Sequence, residues 1–105
     1  MYKKLVRDNI PNIIESNGEI AITRILSDEE YKKELEKKLY EEYNEVINSS
    51  DDDRIEELAD MLEVMIALAE VEGKTFDDIE KIRVLKKEKR GGFSKRIYLE
   101  DVKSR

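Results

Sequence analysis

Apolar residues in this chain recur mainly with the period of an α-helix. Over residues 28–48 they return every three or four positions and form one stripe: Tyr31, Leu35, Leu39, Tyr43 and Val46. Ser27, followed by Glu30 three residues later, has the spacing of a capping box that opens this helix. The pattern predicts a long amphipathic helix with one buried face.

A second helix is predicted over residues 51–72, and it is apolar on two opposite faces. One face carries Ile55, Leu58, Ala59, Leu62, Met65, Ile66 and Ala69. The other carries Met61, Val64, Leu68 and Val71. From Leu58 onward the helix is apolar nearly all round, so we expect it to be the central and most buried element.

Two further helices are predicted by their end signals. Pro11 suits the first turn of a short helix, and Gly18 suits its stop. Near the other end, Thr75 with Asp78 caps a helix over 76–89. Loops this short require the three longer helices to pack antiparallel.

Two segments have strand-like composition. Residues 20–26 are rich in β-branched side chains, and residues 93–99 alternate between apolar and polar. We expect two short strands that pair with each other. The sequence therefore predicts a single all-α domain over residues 1–105, an antiparallel helical bundle with a small β appendage.

Composition narrows the possible chemistry. The 105 residues include no Cys and no His, which excludes disulfides, thiolate or imidazole metal ligands, and the commonest general base. Any catalysis must use carboxylates, Lys, Arg, Tyr or hydroxyls, and we expect a metal ion to assist it.

The net charge of −6 is unevenly distributed. Residues 1–79 carry 10 basic and 22 acidic side chains, whereas residues 80–105 carry 10 basic and 4 acidic. Overall acidity argues against nucleic acid as a partner and favours small polyanions bound where the two regions meet. The start lacks the apolar core of a signal peptide, and the longest apolar stretch, 61–71, is too short to span a bilayer. We expect a cytoplasmic protein with no membrane partner.

Four acids lie on the apolar faces of the two long helices. Glu42 falls in the middle of the 28–48 stripe, with Glu45 at its edge, and Glu57 and Asp60 extend one face of the next helix. In an antiparallel hairpin that turns near residue 51, Glu45 stands level with Glu57, and Glu42 with Asp60. Such a cage of carboxylate oxygens suits Mg²⁺, with Mn²⁺ as a substitute, better than Zn²⁺.

A plainer interpretation is solvated surface charge. With 26 acids in the chain, pairs at helical spacing arise readily, and Lys38 could neutralise Glu42 from one turn away. The matched levels, the apolar surroundings and the lack of His and Cys favour the metal site.

Residues 41–45 (EEYNE) and 57–60 (ELAD) resemble the EExxE…ExxD signature of the MazG-like all-α nucleoside triphosphate pyrophosphatases. Residues 4–11 (KLVRDNIP), 25–28 (ILSD) and 90–93 (RGGF) resemble one subgroup of small MazG-like proteins. The resemblance covers nearly the whole chain. The acidic motif alone is weak, but the segments in this order are quite specific.

That resemblance implies a helical bundle completed by dimerisation, sometimes into tetramers. It implies Mg²⁺-dependent cleavage between the α and β phosphates of a nucleoside triphosphate, giving a monophosphate and pyrophosphate, as in the removal of non-canonical nucleotides. The implied metal ligands are Glu42, Glu45, Glu57 and Asp60. Glu41 is implied as a further ligand or as the residue that positions the attacking water, so that Glu41 and Glu42 are the catalytic pair.

The terminal phosphates of such a substrate require basic groups. The candidates are Lys3, Lys4, Arg7, Lys86, Lys89, Arg90 and Lys95. We favour Arg90, because Gly91 and Gly92 would let backbone N–H groups approach a phosphate as well. For each of these residues the alternative is ordinary surface charge.

Three alternatives stay open. Phosphoribosyl-ATP pyrophosphohydrolases share the fold and chemistry of the MazG-like family, although the KLVRD and RGGF segments point away from that substrate. A non-enzymatic helical dimer that acts as an interaction module would explain the amphipathic helices but not the acids on apolar faces. The basic tail could bind nucleic acid, which the acidity of the remainder disfavours.

Overall fold

This computed structural model describes residues 3–105. That part of the chain contains four helices and no strand. They are α1 (Ile10–Ser16), α2 (Asp28–Asn48), α3 (Arg54–Val71) and α4 (Phe76–Arg90). The all-α prediction is confirmed. Helix α2 has the predicted bounds, while α3 starts three residues later than predicted because residues 51–53 form a turn.

The predicted capping boxes begin α2 and α4. The N–H of Glu30 donates to the Ser27 hydroxyl and the Glu30 carboxylate accepts from the Ser27 N–H, each at 3.2 Å. Thr75 and Asp78 form the same reciprocal pair at the start of α4. The start of α3 lacks such a reciprocal pair. Ser50 donates to the Asp53 carboxylate, and Asp53 makes no capping bond of its own.

The packing centres on α2 and α3, which are joined by residues 49–53 and run antiparallel along each other. Their buried side chains are Leu35 on α2 and Val64 on α3. Helix α3 turns its Met61 and Val64 face toward α2 and leaves most of its other apolar face exposed, with Ile66 and Ala69 partly buried. The exposed positions on that face are Ile55, Leu58, Leu62 and Met65. Over residues 54–65 the helix predicted to be most buried is therefore covered on one side only.

Helix α4 packs on α3 only near its own start, and residues 81–105 are exposed throughout. The radius of gyration is 18.6 Å, well above the ~13 Å of a compact domain of this length. The expected bundle of three antiparallel helices is thus a two-helix hairpin with α4 extending from it. None of the four helices in residues 3–105 combines the length and apolar character that crossing a membrane requires.

The segments 20–26 and 93–99 form no strand, so the predicted β appendage is absent from residues 3–105. Residues 20–26 make no backbone hydrogen bond with residues 93–99. Ile22 and Ile25 are each 96% exposed. Alternating β-branched residues favour an extended backbone, but a strand also needs a ladder of hydrogen bonds to a neighbour.

The N-terminal cap of α2 predicts a pH dependence of stability. Hydrogen bonds from the Arg24 guanidinium, and then from Ser27, lower the pKa of Glu30 from 4.5 to about 2. Because the folded pKa is depressed, the ionised carboxylate stabilises the fold above 4.5, and this contribution is lost as the pH falls toward about 2. Urea denaturation should show Glu30→Gln less stable than wild type near neutral pH, with the difference shrinking across that window.

Glu36→Gln, at an exposed position of the same helix, serves as the control. The difference in stability between this variant and wild type should not shrink as the pH falls. A difference between Glu30→Gln and wild type that stays constant with pH would contradict the role of the cap.

Candidate metal centre

Three carboxylates from α2 and α3 converge on one point. One oxygen each from Glu42, Glu57 and Asp60 lies within 4.8 Å of the other two. Ligand oxygens on opposite sides of an octahedral Mg²⁺ stand roughly 4.2 Å apart. A small movement of flexible side chains would therefore fit the group around one cation, and all three donors are of the type that Mg²⁺ prefers.

The antiparallel packing brings this acidic group together. Glu42 lies on the buried side of α2 between Leu39 and Val46, and its side chain is only 15% exposed. Glu57 and Asp60 occupy one side of α3, one turn apart, and both are partly buried. The group thus sits at the edge of the apolar seam, where carboxylates are less well hydrated than on an open helix face.

Two cations accompany the acidic group without neutralising all of it. The Lys38 ammonium stands 3.8 Å from the Glu42 carboxylate, as its spacing of one turn suggested. The Arg7 guanidinium donates a hydrogen bond of 2.8 Å to Asp60. Glu57 has no ion pair among the described residues. Its partial burial raises its pKa, and the negative charges of Glu45, Asp60 and Glu42 raise it further.

Glu45 and Glu41 lie outside the group of three. Glu45 is exposed, yet close enough for its charge to raise the pKa of Glu57. Glu41 is exposed next to Glu42 on α2. The register of the two helices therefore brings Glu42, Glu57 and Asp60 together, with Glu45 beside them.

The basic residues proposed for phosphate binding separate into two sets. Arg7 reaches the acidic group, and Lys3 and Lys4 precede it on the same exposed segment. The second set lies in the exposed part of the chain at and beyond the end of α4, where it makes no ion pair with the acidic group within residues 3–105: Lys86, Lys89, Arg90 and Lys95.

The phosphate site favoured at Arg90 was expected to include the backbone N–H groups of Gly91 and Gly92, and for Gly91 this expectation is wrong. The backbone N–H of Gly91 donates to the Lys87 carbonyl at 2.8 Å, since Gly91 takes a φ of 83° and ends α4. That N–H group is already engaged and does not point freely at a ligand. For the Arg90 side chain and Gly92, phosphate binding stays a prediction.

Sequence reasoning missed the contact between Arg7 and Asp60. The two residues are 53 positions apart, and no local spacing relates them. The one available signal was that Arg7 belongs to the KLVRD segment.

Comparison with family models, with curated proteins and with solved structures found no match for this chain. The resemblance to the MazG-like pyrophosphatases therefore stays a prediction from the sequence segments.

The electrostatics of the acidic group predict that it destabilises the cation-free fold. A carboxyl group whose pKa is raised on folding favours the folded state most when it is protonated, so this contribution falls as the pH rises past 4.5. We expect Glu57→Gln to raise the melting temperature at neutral pH in the presence of a chelator. Glu57 should give the clearest effect, because Glu42 and Asp60 each have a cation beside them.

Glu56→Gln is the matched control, since it removes the same charge from the exposed neighbouring position on α3. Equal melting temperatures for Glu57→Gln and Glu56→Gln would mean that the acids are independently solvated.

Proposed function

We propose that this protein is a Mg²⁺-dependent nucleoside triphosphate pyrophosphohydrolase. It cleaves the anhydride between the α and β phosphates, releases a nucleoside monophosphate and pyrophosphate, and serves to remove non-canonical nucleotides. The observation that carries the proposal is the convergence of Glu42, Glu57 and Asp60 from two antiparallel helices. Those acids occupy the positions of the EExxE…ExxD signature.

The residues suit hydrolysis without a nucleophilic side chain. Glu42, Glu57 and Asp60, with Glu45 adjacent, would hold Mg²⁺ through carboxylate oxygens. The bound ion would neutralise polyphosphate charge and acidify a water molecule. Glu41 is exposed next to Glu42 on α2, and in this proposal its carboxylate would accept a hydrogen bond from the attacking water.

The basic residues have a complementary role in this proposal. A triphosphate brings several negative charges to a site that is itself acidic, so cations must hold the phosphates farthest from the metal. Arg7 already reaches the site, while Lys86, Lys89, Arg90 and Lys95 lie on an exposed segment. We expect this second set to act after assembly with another copy or when substrate binds.

Activity should depend on each of the three converging acids. Glu42→Gln, Glu57→Gln and Asp60→Asn should each reduce pyrophosphate release by about 100-fold or more, because each removes a proposed metal ligand. The assay uses a panel of canonical and damaged nucleoside triphosphates, together with phosphoribosyl-ATP, in the presence of Mg²⁺. Glu36→Gln, an exposed acid on the same helix as Glu42, should retain full activity.

If all three variants turn over substrate like wild type, the acidic group is not the catalytic centre. Hydrolysis of phosphoribosyl-ATP alone would instead assign the alternative substrate. Absence of pyrophosphate release from every substrate, together with no Mg²⁺ binding, would favour the non-enzymatic interaction module.

We also propose that the protein is a homodimer or tetramer. The outer face of α3 exposes Ile55, Leu58, Leu62 and Met65, and α2 exposes Tyr40 and Ile47. Exposed apolar residues grouped on one face of a helix, as on α3, mark an interaction site. A second copy is the occupant that would complete the bundle implied by the family resemblance.

Sedimentation equilibrium at micromolar concentration should give a mass of at least twice 12.4 kDa. Leu62→Glu should shift the protein toward monomer, since it puts a charge in the middle of the apolar face, while Glu63→Gln beside it should not. A wild-type monomer at this concentration would refute the assembly.

A further inference from the structure

The contact between Arg7 and Asp60 links the segment before α1 to the acidic group on α3. Its length is 2.8 Å. Among hydrogen bonds between side chains within residues 3–105, it is the one that joins residues more than six positions apart. The chain path, and not helical periodicity, brings this arginine to a proposed metal ligand.

The ion pair between Arg7 and Asp60 is only weakly held. The side chains of Arg7 and Asp60 are 56% and 46% exposed, so water reaches both and the pair adds little to stability. A guanidinium group keeps its charge at all ordinary pH values, and it has five N–H donors but no lone pair to offer a cation. Arg7 can therefore respond to a new charge nearby only by moving.

The charge of Arg7 has opposite effects on the two ligands of the proposed reaction. While the Arg7 guanidinium is bonded to Asp60, its positive charge repels a divalent cation at the same carboxylates. For a partly screened pair, this repulsion lowers the affinity for the cation by about 3- to 10-fold. The same guanidinium attracts phosphate oxygens and can donate two parallel hydrogen bonds to them. Free cation and metal-bound polyphosphate are therefore distinguished by one side chain.

We propose that Arg7 exchanges partners. It is bonded to Asp60 in the cation-free protein and moves to the phosphate oxygens when a polyphosphate binds together with Mg²⁺. In the first position Arg7 weakens the binding of Mg²⁺ alone, and in the second it strengthens the binding of the polyphosphate. This inference rests on the proposed function, and it assigns to Arg7 the selection of Mg²⁺–polyphosphate over free Mg²⁺.

Calorimetric titration of the full chain tests both halves. With Mg²⁺ alone, Arg7→Gln should bind about 3- to 10-fold more tightly than wild type, and Arg7→Lys should stay near wild type because it keeps the charge. With inorganic tripolyphosphate at saturating Mg²⁺, Arg7→Gln should bind about tenfold more weakly or worse. The proposal predicts opposite signs for the two ligands.

Arg24→Gln is the matched control. Arg24 also forms a 2.8 Å ion pair with a glutamate, Glu30, but at the first turn of α2 and away from the acidic group. It should leave both affinities unchanged. If Arg7→Gln does not fold by circular dichroism, Arg7→Cys supplies a unique thiol in a chain without cysteine. Attaching a charged aminoethyl group in place of a neutral hydroxyethyl group should then weaken Mg²⁺ binding.

Several outcomes overturn the exchange. If Arg7 merely tethers its segment, Arg7→Gln leaves Mg²⁺ affinity equal to wild type or lowers it. Unchanged tripolyphosphate binding removes the second half. Failure of the proposed function looks different, because wild type itself would then bind no Mg²⁺ and release no pyrophosphate.

Discussion

The antiparallel packing of α2 against α3 is the constraint on which the candidate site depends. A turn at residues 49–53 sets which residues of the two helices stand level, and this register brings Glu42 opposite Asp60 and Glu57. The apolar seam that holds the helices together, with Leu35 and Val64 buried in it, also limits the hydration of the acids at its edge. Packing and site are therefore produced by the same contact.

This arrangement places like charges together at a cost that the chain offsets only in part. Lys38 stands beside Glu42 and Arg7 beside Asp60, whereas Glu57 is left with a raised pKa. A divalent cation is the natural complement of such a group, because it offers two positive charges to several carboxylate oxygens at once. The proposed chemistry and the residual repulsion thus have a common origin.

The local features were predictable from the sequence, since they follow from spacing of a few residues. The Ser27–Glu30 and Thr75–Asp78 capping boxes and the bounds of α2 are of this kind. The grouping of Glu42, Glu57 and Asp60 was predictable as well, because a short turn fixes the register of a helical hairpin. Features that depend on distant or separate partners were not. The pair between Arg7 and Asp60 spans 53 positions. The strands expected at 20–26 and 93–99 have no neighbour to pair with. Helix α4 does not fold back along α3.

The acids on α2 and α3 are proposed to form one cation site. Thermal melting of wild type and of a Glu42→Gln/Asp60→Asn double variant, first in chelator and then in millimolar Mg²⁺, tests it most directly. Mg²⁺ and Mn²⁺ should raise the melting temperature of wild type, because they bind the folded site and not the unfolded chain. Zn²⁺ should raise it less, since it prefers His and Cys ligands. The increase should vanish in the double variant. A Mg²⁺-dependent increase of the same size in the double variant would place the cation elsewhere and contradict the account.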